Sequence, residues 1–278
     1  MLKLKAASLS HPGMFREENE DSVWSQIFAP PKQQPSGLFI VCDGMGGHMG
    51  GKYASYWAVE AIKSEFGELL ATKDPRATLV LTAADVKAVR AGNYAAPEPA
   101  ETDLEKITKS AIQKANKVVF NYSRHKPKQA ANAGTTIAMV ALRGTQAFFA
   151  NVGDSRGYLL RDHELLQITR DHSLVATLVS EGQILPDEIY THPRRNMIFR
   201  FLGQKGLVQI DLFEKELQPG DFILLCSDGL WEMVHENARI VDLIENAKDP
   251  KDACQKLVDA ANAAGGEDNV GVVVVQII

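Results

Sequence analysis

Gly37-Leu38-Phe39-Ile40-Val41-Cys42 runs without a break into Asp43-Gly44-Met45-Gly46-Gly47-His48-Met49-Gly50-Gly51-Lys52. The first six residues form a short continuous apolar run, the pattern of a strand buried on both faces. Beyond the glycines, Lys52 to Leu70 carries Trp57, Ala58, Ala61, Ile62, Phe66, Leu69 and Leu70 at helical spacing. Asp43 thus ends a buried strand, where a carboxylate is costly unless something cationic compensates it. The glycines beside it allow close backbone approach to a ligand. Gly46 and Gly51-Lys52 match the spacing of a nucleotide-binding G-x-x-x-x-G-K-[ST] loop, but Tyr53 follows where a small hydroxyl is needed. The nucleotide reading is set aside.

Working outward, Leu104 to Tyr122 repeats the helical period at Leu104, Ile107, Ala111, Ile112, Ala115, Val118 and Val119. Short strands are predicted over 135–142, 146–152, 156–160 and 165–168, with Gly144, Gly153 and Asp162 at the turns between them. Their tight spacing implies antiparallel neighbours. A short helix is expected over 173–181, strands over 207–213 and 221–226, a helix over 249–264 with Pro250 near its start, and a last strand over 270–278. Strands and helices interleave without the regular alternation of a parallel doubly wound sheet. The expected fold is a layered α+β domain with mostly antiparallel sheets. Residues 72–101, rich in Ala with Pro75, Pro97 and Pro99, read as a surface excursion between two helices. About 30 residues are too few to bury a core of their own.

The chain has 278 residues, 45% hydrophobic and 23% charged, with a formal net charge of −5. That balance describes a folded globular protein and argues against a general nucleic-acid binder, which needs an excess of basic charge. Lys126 and Lys128 read as a solvated loop. The three cysteines, Cys42, Cys226 and Cys254, make no CxxC or Cys/His cluster and read as small buried hydrophobes of a reducing compartment. The N-terminal Met1-Leu2-Lys3-Leu4-Lys5 lacks the apolar stretch of a signal peptide. The apolar run from Val270 is broken by Gly271 and Gln276 and falls short of the ~20 residues that span a bilayer. A cytoplasmic protein with no membrane partner is expected.

The arrangement at Asp43 recurs. Cys226-Ser227-Asp228-Gly229 follows the run Phe222-Ile223-Leu224-Leu225, and Asn151-Val152-Gly153-Asp154-Ser155-Arg156 lies between two predicted strands. Glu267-Asp268-Asn269 precedes the last strand, and Arg16-Glu17-Glu18-Asn19-Glu20-Asp21 lies near the start. Each alone has an ordinary reading as a turn or a solvated face. Together they supply the oxygen ligands, gathered from separated segments, that hard divalent cations require.

At this point the chain resembles a known family. Arg16-x-x-Asn19-Glu20-Asp21, Asp43-Gly44-Met45-Gly46-Gly47, Gly134-Thr135-Thr136, Asn151-x-Gly153-Asp154-Ser155-Arg156, Asp171-His172, Ser227-Asp228-Gly229-Leu230 and Asp268-Asn269 occur in the order seen in PP2C-type (PPM) metal-dependent protein phosphatases. The likeness runs from about Ser8 to Ile278, and the bacterial branch matches best through His48 and through His192-Pro193-Arg194-Arg195-Asn196. It implies a single domain over 1–278 with a four-layer αββα sandwich, two antiparallel sheets flanked by helices, and a flap over 171–200 beside the active site. It implies two Mn²⁺ or Mg²⁺ ions, with Asp43 bridging them and the Gly44 carbonyl on the second. Asp228 and Asp268 complete the first metal site, Glu20 lies on the second-metal side, and Asp21 is an adjacent supporting acid. Asp154, with Asp228, matches the pair that holds a third metal. Arg16 matches the arginine that grips the substrate phosphate, and Arg194 and Arg195 are candidate substrate contacts in the flap.

The implied activity is hydrolysis of phosphoserine and phosphothreonine in phosphorylated proteins, substrates of a Ser/Thr kinase, by a monomeric enzyme. The residue types agree with it. A phosphate monoester is dianionic, so its hydrolysis needs charge neutralisation and a strong nucleophile at neutral pH; a metal-bridging water of lowered pKa is one. A planar guanidinium makes two parallel charged hydrogen bonds to phosphate, which suits Arg16. The chain departs from the family at Met45, where many members carry a histidine proposed as general acid, leaving His48 as the candidate acid in sequence. Glu232 stands where some members have an aspartate, and Gly271 where many have a hydroxyl residue. Three other readings stay open: a phosphatase of small phosphate esters, a regulatory phosphoprotein-binding member, and a structural cation-binding module. The retained Asp43, Asp228 and Asp268 weigh against the second, and Arg16 against the third.

Overall fold

The computed structural model describes residues 2–28, 34–46, 50–70, 87, 89–90, 104–125 and 133–278. The surface excursion predicted over 72–101 lies outside the described residues except at 87, 89 and 90, as do His48, Lys126 and Lys128 entirely.

Strand β3 (Ser36–Cys42) sets the architecture through its alternation. Leu38, Ile40 and Cys42 point to one side, and Phe39 and Val41 to the other, and all are buried. With period 2, a strand that is apolar on every residue must have an apolar layer on each face. On the first side lie helices α1 (Gly50–Leu70) and α2 (Leu104–His125), packed through Ala54, Ala58 and Ile62, and through Ile112, Ala115 and Val119. On the second lies the other sheet, through Leu225, Val273 and Val275.

The inner sheet beside α1 and α2 has strand order β10-β7-β6-β3-β2, from β2 (Ser22–Phe28), β6 (Ile137–Arg143), β7 (Gln146–Val152) and β10 (Asp211–Glu216). The facing sheet has order β1-β12-β11-β8-β9, from β1 (Leu4–His11), β8 (Arg156–Arg161), β9 (Glu164–Gln167), β11 (Phe222–Cys226) and β12 (Val270–Ile277). Its outer face carries Leu224, Val272 and Val274, covered by α5 (Asn237–Glu245) and α6 (Pro250–Ala263) through Ile240, Ile244, Leu257 and Val258. Every named strand pair is antiparallel. The four-layer αββα sandwich expected from the resemblance is the fold observed.

Most predicted elements fall where the periodicity puts them, among them the short helix α3 (Leu174–Ser180). Asp249 caps α6 by accepting from Asp252 N at 2.9 Å, with Pro250 as its first helical residue. Cys42, Cys226 and Cys254 are buried and free. The strand predicted over 207–213 is a correction. Residues 207–210 are irregular, because the Val208 main chain pairs with the side chain of Gln113 on α2 in both directions, and the strand begins only at Asp211. Strands β1 and β2 and helix α5 were not foreseen. Among the described residues, no helix is long and apolar enough to cross a membrane.

Candidate active site

The acids singled out in sequence come from the ends of strands in both sheets, and the fold brings them to one edge of the sandwich. Asp43 follows β3, where Thr136 Oγ1 accepts its N–H at 3.1 Å while Thr136 N and Thr135 Oγ1 donate to its carbonyl at 2.9 and 2.8 Å. Two-residue β4 (Gly44–Met45) then pairs with β5 (Gly134–Thr135) and fixes how the chain leaves the carboxylate. A Cβ on Gly44 would stand 2.2 Å from the Gly51 carbonyl, so only glycine lets the N-terminus of α1 come this close. Glu20 uses that approach: a Cβ on Gly51 would stand 2.6 Å from its Oε1, and the nearby backbone of Gly51 and Lys52 favours its charged form. Lys52 Nζ meanwhile bonds Glu18 Oε2 at 2.7 Å. The G-x-x-x-x-G-K spacing therefore serves a carboxylate of this chain.

Asp228 is the first residue of a one-turn helix, α4 (Asp228–Trp231), directly after β11. Asp154 lies in the turn between β7 and β8 and Asp268 just before β12. Asp43 feels the negative charges of Asp228, Asp21, Asp154 and Asp268, and Asp228 those of Asp154, Asp268, Glu232 and Asp21. Arg16 Nη2 bonds Asp268 Oδ2 at 2.6 Å, which places the one basic residue singled out as a phosphate ligand beside the acids. Asp21, Asp154, Asp43, Asp228, Asp268, Glu20 and Arg16 are thus gathered. His48 lies outside the described residues.

The flap arginines are placed differently. Arg195 points at acids, with Nε 3.2 Å from Glu232 Oε2 and Nη2 3.8 Å from Glu267 Oε2, whereas Arg194 is exposed. Glu232, a departure from the family pattern in sequence, belongs to the same charged neighbourhood.

Electrostatics says what the gathering requires. Asp21 and Asp154 are buried, and water touches only an edge of Asp43 and Asp228. Loss of water, then the neighbouring carboxylates, pushes Asp43 and Asp228 well above the ordinary aspartate range. Burial raises Asp21 from 3.8 to about 7 against the opposing hydrogen bond from Ser227, and raises Asp154 to about 7 with Asp171 adding to the effect. Glu20 Oε1 and Asp21 Oδ1 are buried without a hydrogen-bond partner. Among the described residues, no three of these side chains stand drawn in on a common point as a closed ligand group. The donor set nonetheless fits hard divalent cations: oxygen-only, anionic, crowded, and with orphaned acceptors.

Asp21 and Asp154 hold their protons to about pH 7 when folded, against 3.8 as ordinary aspartates. The metal-free folded state therefore binds more protons than the unfolded state in that window, and its stability falls as pH rises through it. Unfolding temperature in EDTA should drop from pH 5 to pH 8, and Mn²⁺ should raise it more at pH 8 than at pH 6. Calorimetric scans showing no such dependence would contradict this.

Residues without an assigned role in sequence supply the supports. Ser227 Oγ donates to Asp21 Oδ2 at 2.6 Å and accepts Gly271 N at 2.8 Å. Asn269 Oδ1 accepts Glu20 N at 2.8 Å, while its Nδ2 donates to the Pro12 and Glu18 carbonyls. Gly271 is needed as it stands, because a Cβ there would meet Asp21 Oδ2 at 2.9 Å. The only sequence signal for Ser227 and Asn269 is that each sits in a quoted motif, and for Gly271 that it departs from the family pattern.

This fold and this cluster define a class of metal-assisted phosphoester hydrolases. The protein phosphatase 2C family profile matches residues 28–260, and the chain belongs to that family. It is 36% identical over 264 residues to the serine/threonine phosphatase stp of Listeria monocytogenes, covering 95% of this chain and 92% of that protein. The serine/threonine phosphatase of S. agalactiae has a similar structure, with a TM-score of 0.78 and 29% identity over 99% of both chains. So has the catalytic domain of the phosphatase PstP, solved in complex with two manganese ions, with a TM-score of 0.77, 30% identity and complete coverage of both chains.

Proposed function

We propose that the protein is a metal-dependent serine/threonine protein phosphatase that hydrolyses phosphoserine and phosphothreonine monoesters. The observation that carries the reading is the convergence of Asp43, Asp154, Asp228 and Asp268, from four separated segments, beside Arg16. Asp43, Asp228 and Asp268, with Glu20 and the Gly44 carbonyl, would hold two Mn²⁺ or Mg²⁺ ions, and Asp154 with Asp228 a third. When bound, such ions neutralise the phosphate dianion and lower the pKa of water at neutral pH.

The chain's own groups do the rest. Arg16, half exposed, exchanges its bond to Asp268 for the two phosphate oxygens that its planar fork fits. Asp21 stays fixed by Ser227 at the floor of the site. Residues 1–278 act as one domain: β1 and β12 pair from Leu4↔Ile277 onward, and the acids span Glu20 to Asp268. Residues 171–200 serve as a flap. The protein works as a monomer in the cytoplasm on substrates of a Ser/Thr kinase.

Phosphoserine, phosphothreonine and phosphotyrosine peptides assayed with Mn²⁺ test this reading, with turnover expected on the first two. Arg194→Ala should raise KM for phosphopeptides by ~3-fold, as one exposed charge contact does, with p-nitrophenyl phosphate unaffected. Turnover confined to phosphotyrosine or to small esters would overturn the protein-phosphatase reading.

A further inference from the structure

We propose that His172 is the positioning residue of Asp154: its imidazole holds the Gly153–Asp154 turn, and its main chain ties that turn to both ends of segment 171–200. The inference rests on the metal-dependent reading above, in which Asp154 is a cation ligand.

His172 is 4% exposed. Its N–H donates to the Gly153 carbonyl at 2.8 Å, and Gly153 N–H donates back to Nδ1 at 3.0 Å. A backbone N–H only donates, so Nδ1 is the acceptor in that bond. Nε2 stands 3.3 Å from Asp211 Oδ2 and 2.9 Å from Arg200 Nη1, which also bonds Asp211 Oδ1 at 2.9 Å. The imidazole is therefore wedged between β10 and the turn that carries Asp154.

That turn is also constrained at Gly153. Gly153 has φ +112°, and a Cβ on it would stand 2.6 Å from Thr136 Cβ. The main chain of His172 completes the junction. Phe199 N–H donates to its carbonyl at 3.0 Å, and Leu174 N–H donates to the Met197 carbonyl at 2.8 Å. The segment thus leaves and returns at one residue, and that residue grips the turn of a proposed ligand. Groups that aim a ligand in this way matter to a metal site nearly as much as the ligand itself.

The experiment measures Mn²⁺ binding to the metal-free 278-residue chain by calorimetry, with thermal unfolding alongside. His172→Asn places its Oδ1 where Nδ1 stands and keeps the acceptor, His172→Gln reaches only the Nε2 position, and His172→Leu supplies neither. Asp154→Ala marks the Mn²⁺ site in question. Gln and Leu should weaken that site ~10-fold or more, and Asn by no more than ~3-fold. His172→Leu should cause no further loss in an Asp154→Ala background, a non-additivity that a purely structural role would not produce. If the Leu variant does not fold, the Asn and Gln variants decide. Undiminished Mn²⁺ binding in folded Gln and Leu variants, Asn as weak as Gln, or an Asp154→Ala variant that binds like wild type would each overturn the proposal. Wild-type protein that bound no Mn²⁺ would instead overturn the reading on which it rests.

Discussion

Asp43→Asn is expected to remove Mn²⁺-dependent phosphomonoester hydrolysis by on the order of a thousandfold or more, the several kcal/mol that metal charge stabilisation supplies. The same variant should raise the unfolding temperature of the metal-free protein. Both effects have one cause. Asp43 is enclosed among Asp228, Asp21, Asp154 and Asp268, and in the absence of a cation its charge is opposed by loss of water and by every one of them. An amide of the same shape relieves that opposition and forfeits the ligand. Stability gained together with activity lost separates a metal site from a structural acid, whose removal lowers both. Unfolding scans in EDTA and initial rates in Mn²⁺ on the same preparations check the pair of expectations. A lower unfolding temperature for Asp43→Asn would contradict the electrostatic account.

The second large effect lies beside the metal acids, at a charge already paired. Arg156 and Asp171 form an ion pair with Nη2–Oδ2 2.7 Å and side chains 8% and 7% exposed. Arg156 Nε also contacts both carboxylate oxygens, and the guanidinium stacks over Trp231 at 3.6 Å. Asp171→Ala strands the guanidinium in the interior, which costs about 3–5 kcal/mol. For a chain of this size that is roughly a 10 °C fall in unfolding temperature. Asp171→Leu combined with Arg156→Met removes both charges and should recover much of the loss. The damage should reach the site, since Trp231 Nε1 donates to the Asp154 carbonyl at 3.1 Å. A fall below ~1 kcal/mol in denaturant titrations of Asp171→Ala, the scale of an exposed pair, would show that the pair is not held as described.

The parts of this architecture that were legible in the sequence are those whose burial is two-sided. Phe39 to Cys42 and Val270 to Val275 read as interior strands because apolar neighbours occupy both of their faces. β1 and β2 escaped because they are edge strands, only partly buried, with Ser8 and Ser10 or Ser22 and Ser25 breaking the apolar pattern. The strand predicted to begin at Leu207 failed on a partner no periodicity encodes, the side chain of Gln113.

The site divides in the same way. Asp43, Asp154 and Asp228 were visible because a carboxylate next to glycine at the end of an apolar run is costly without a cation. Ser227, Asn269 and His172 were not, because a hydroxyl, amide or imidazole is defined by the backbone atoms the fold brings to it. Arg195 adds a contact no sequence pattern encodes: a candidate substrate residue in the flap, it is held by the fold beside Glu232 and Glu267.

The central claim is that the crowded carboxylates exist to hold divalent cations for phosphate ester hydrolysis. Its most direct test is the initial rate of p-nitrophenyl phosphate hydrolysis by the protein, stripped of metal and then titrated with Mn²⁺. The account predicts no turnover in EDTA, saturable recovery with Mn²⁺, and no recovery in Asp43→Asn or Asp228→Asn. Full turnover in EDTA, or Mn²⁺-dependent turnover retained by either variant, would contradict it.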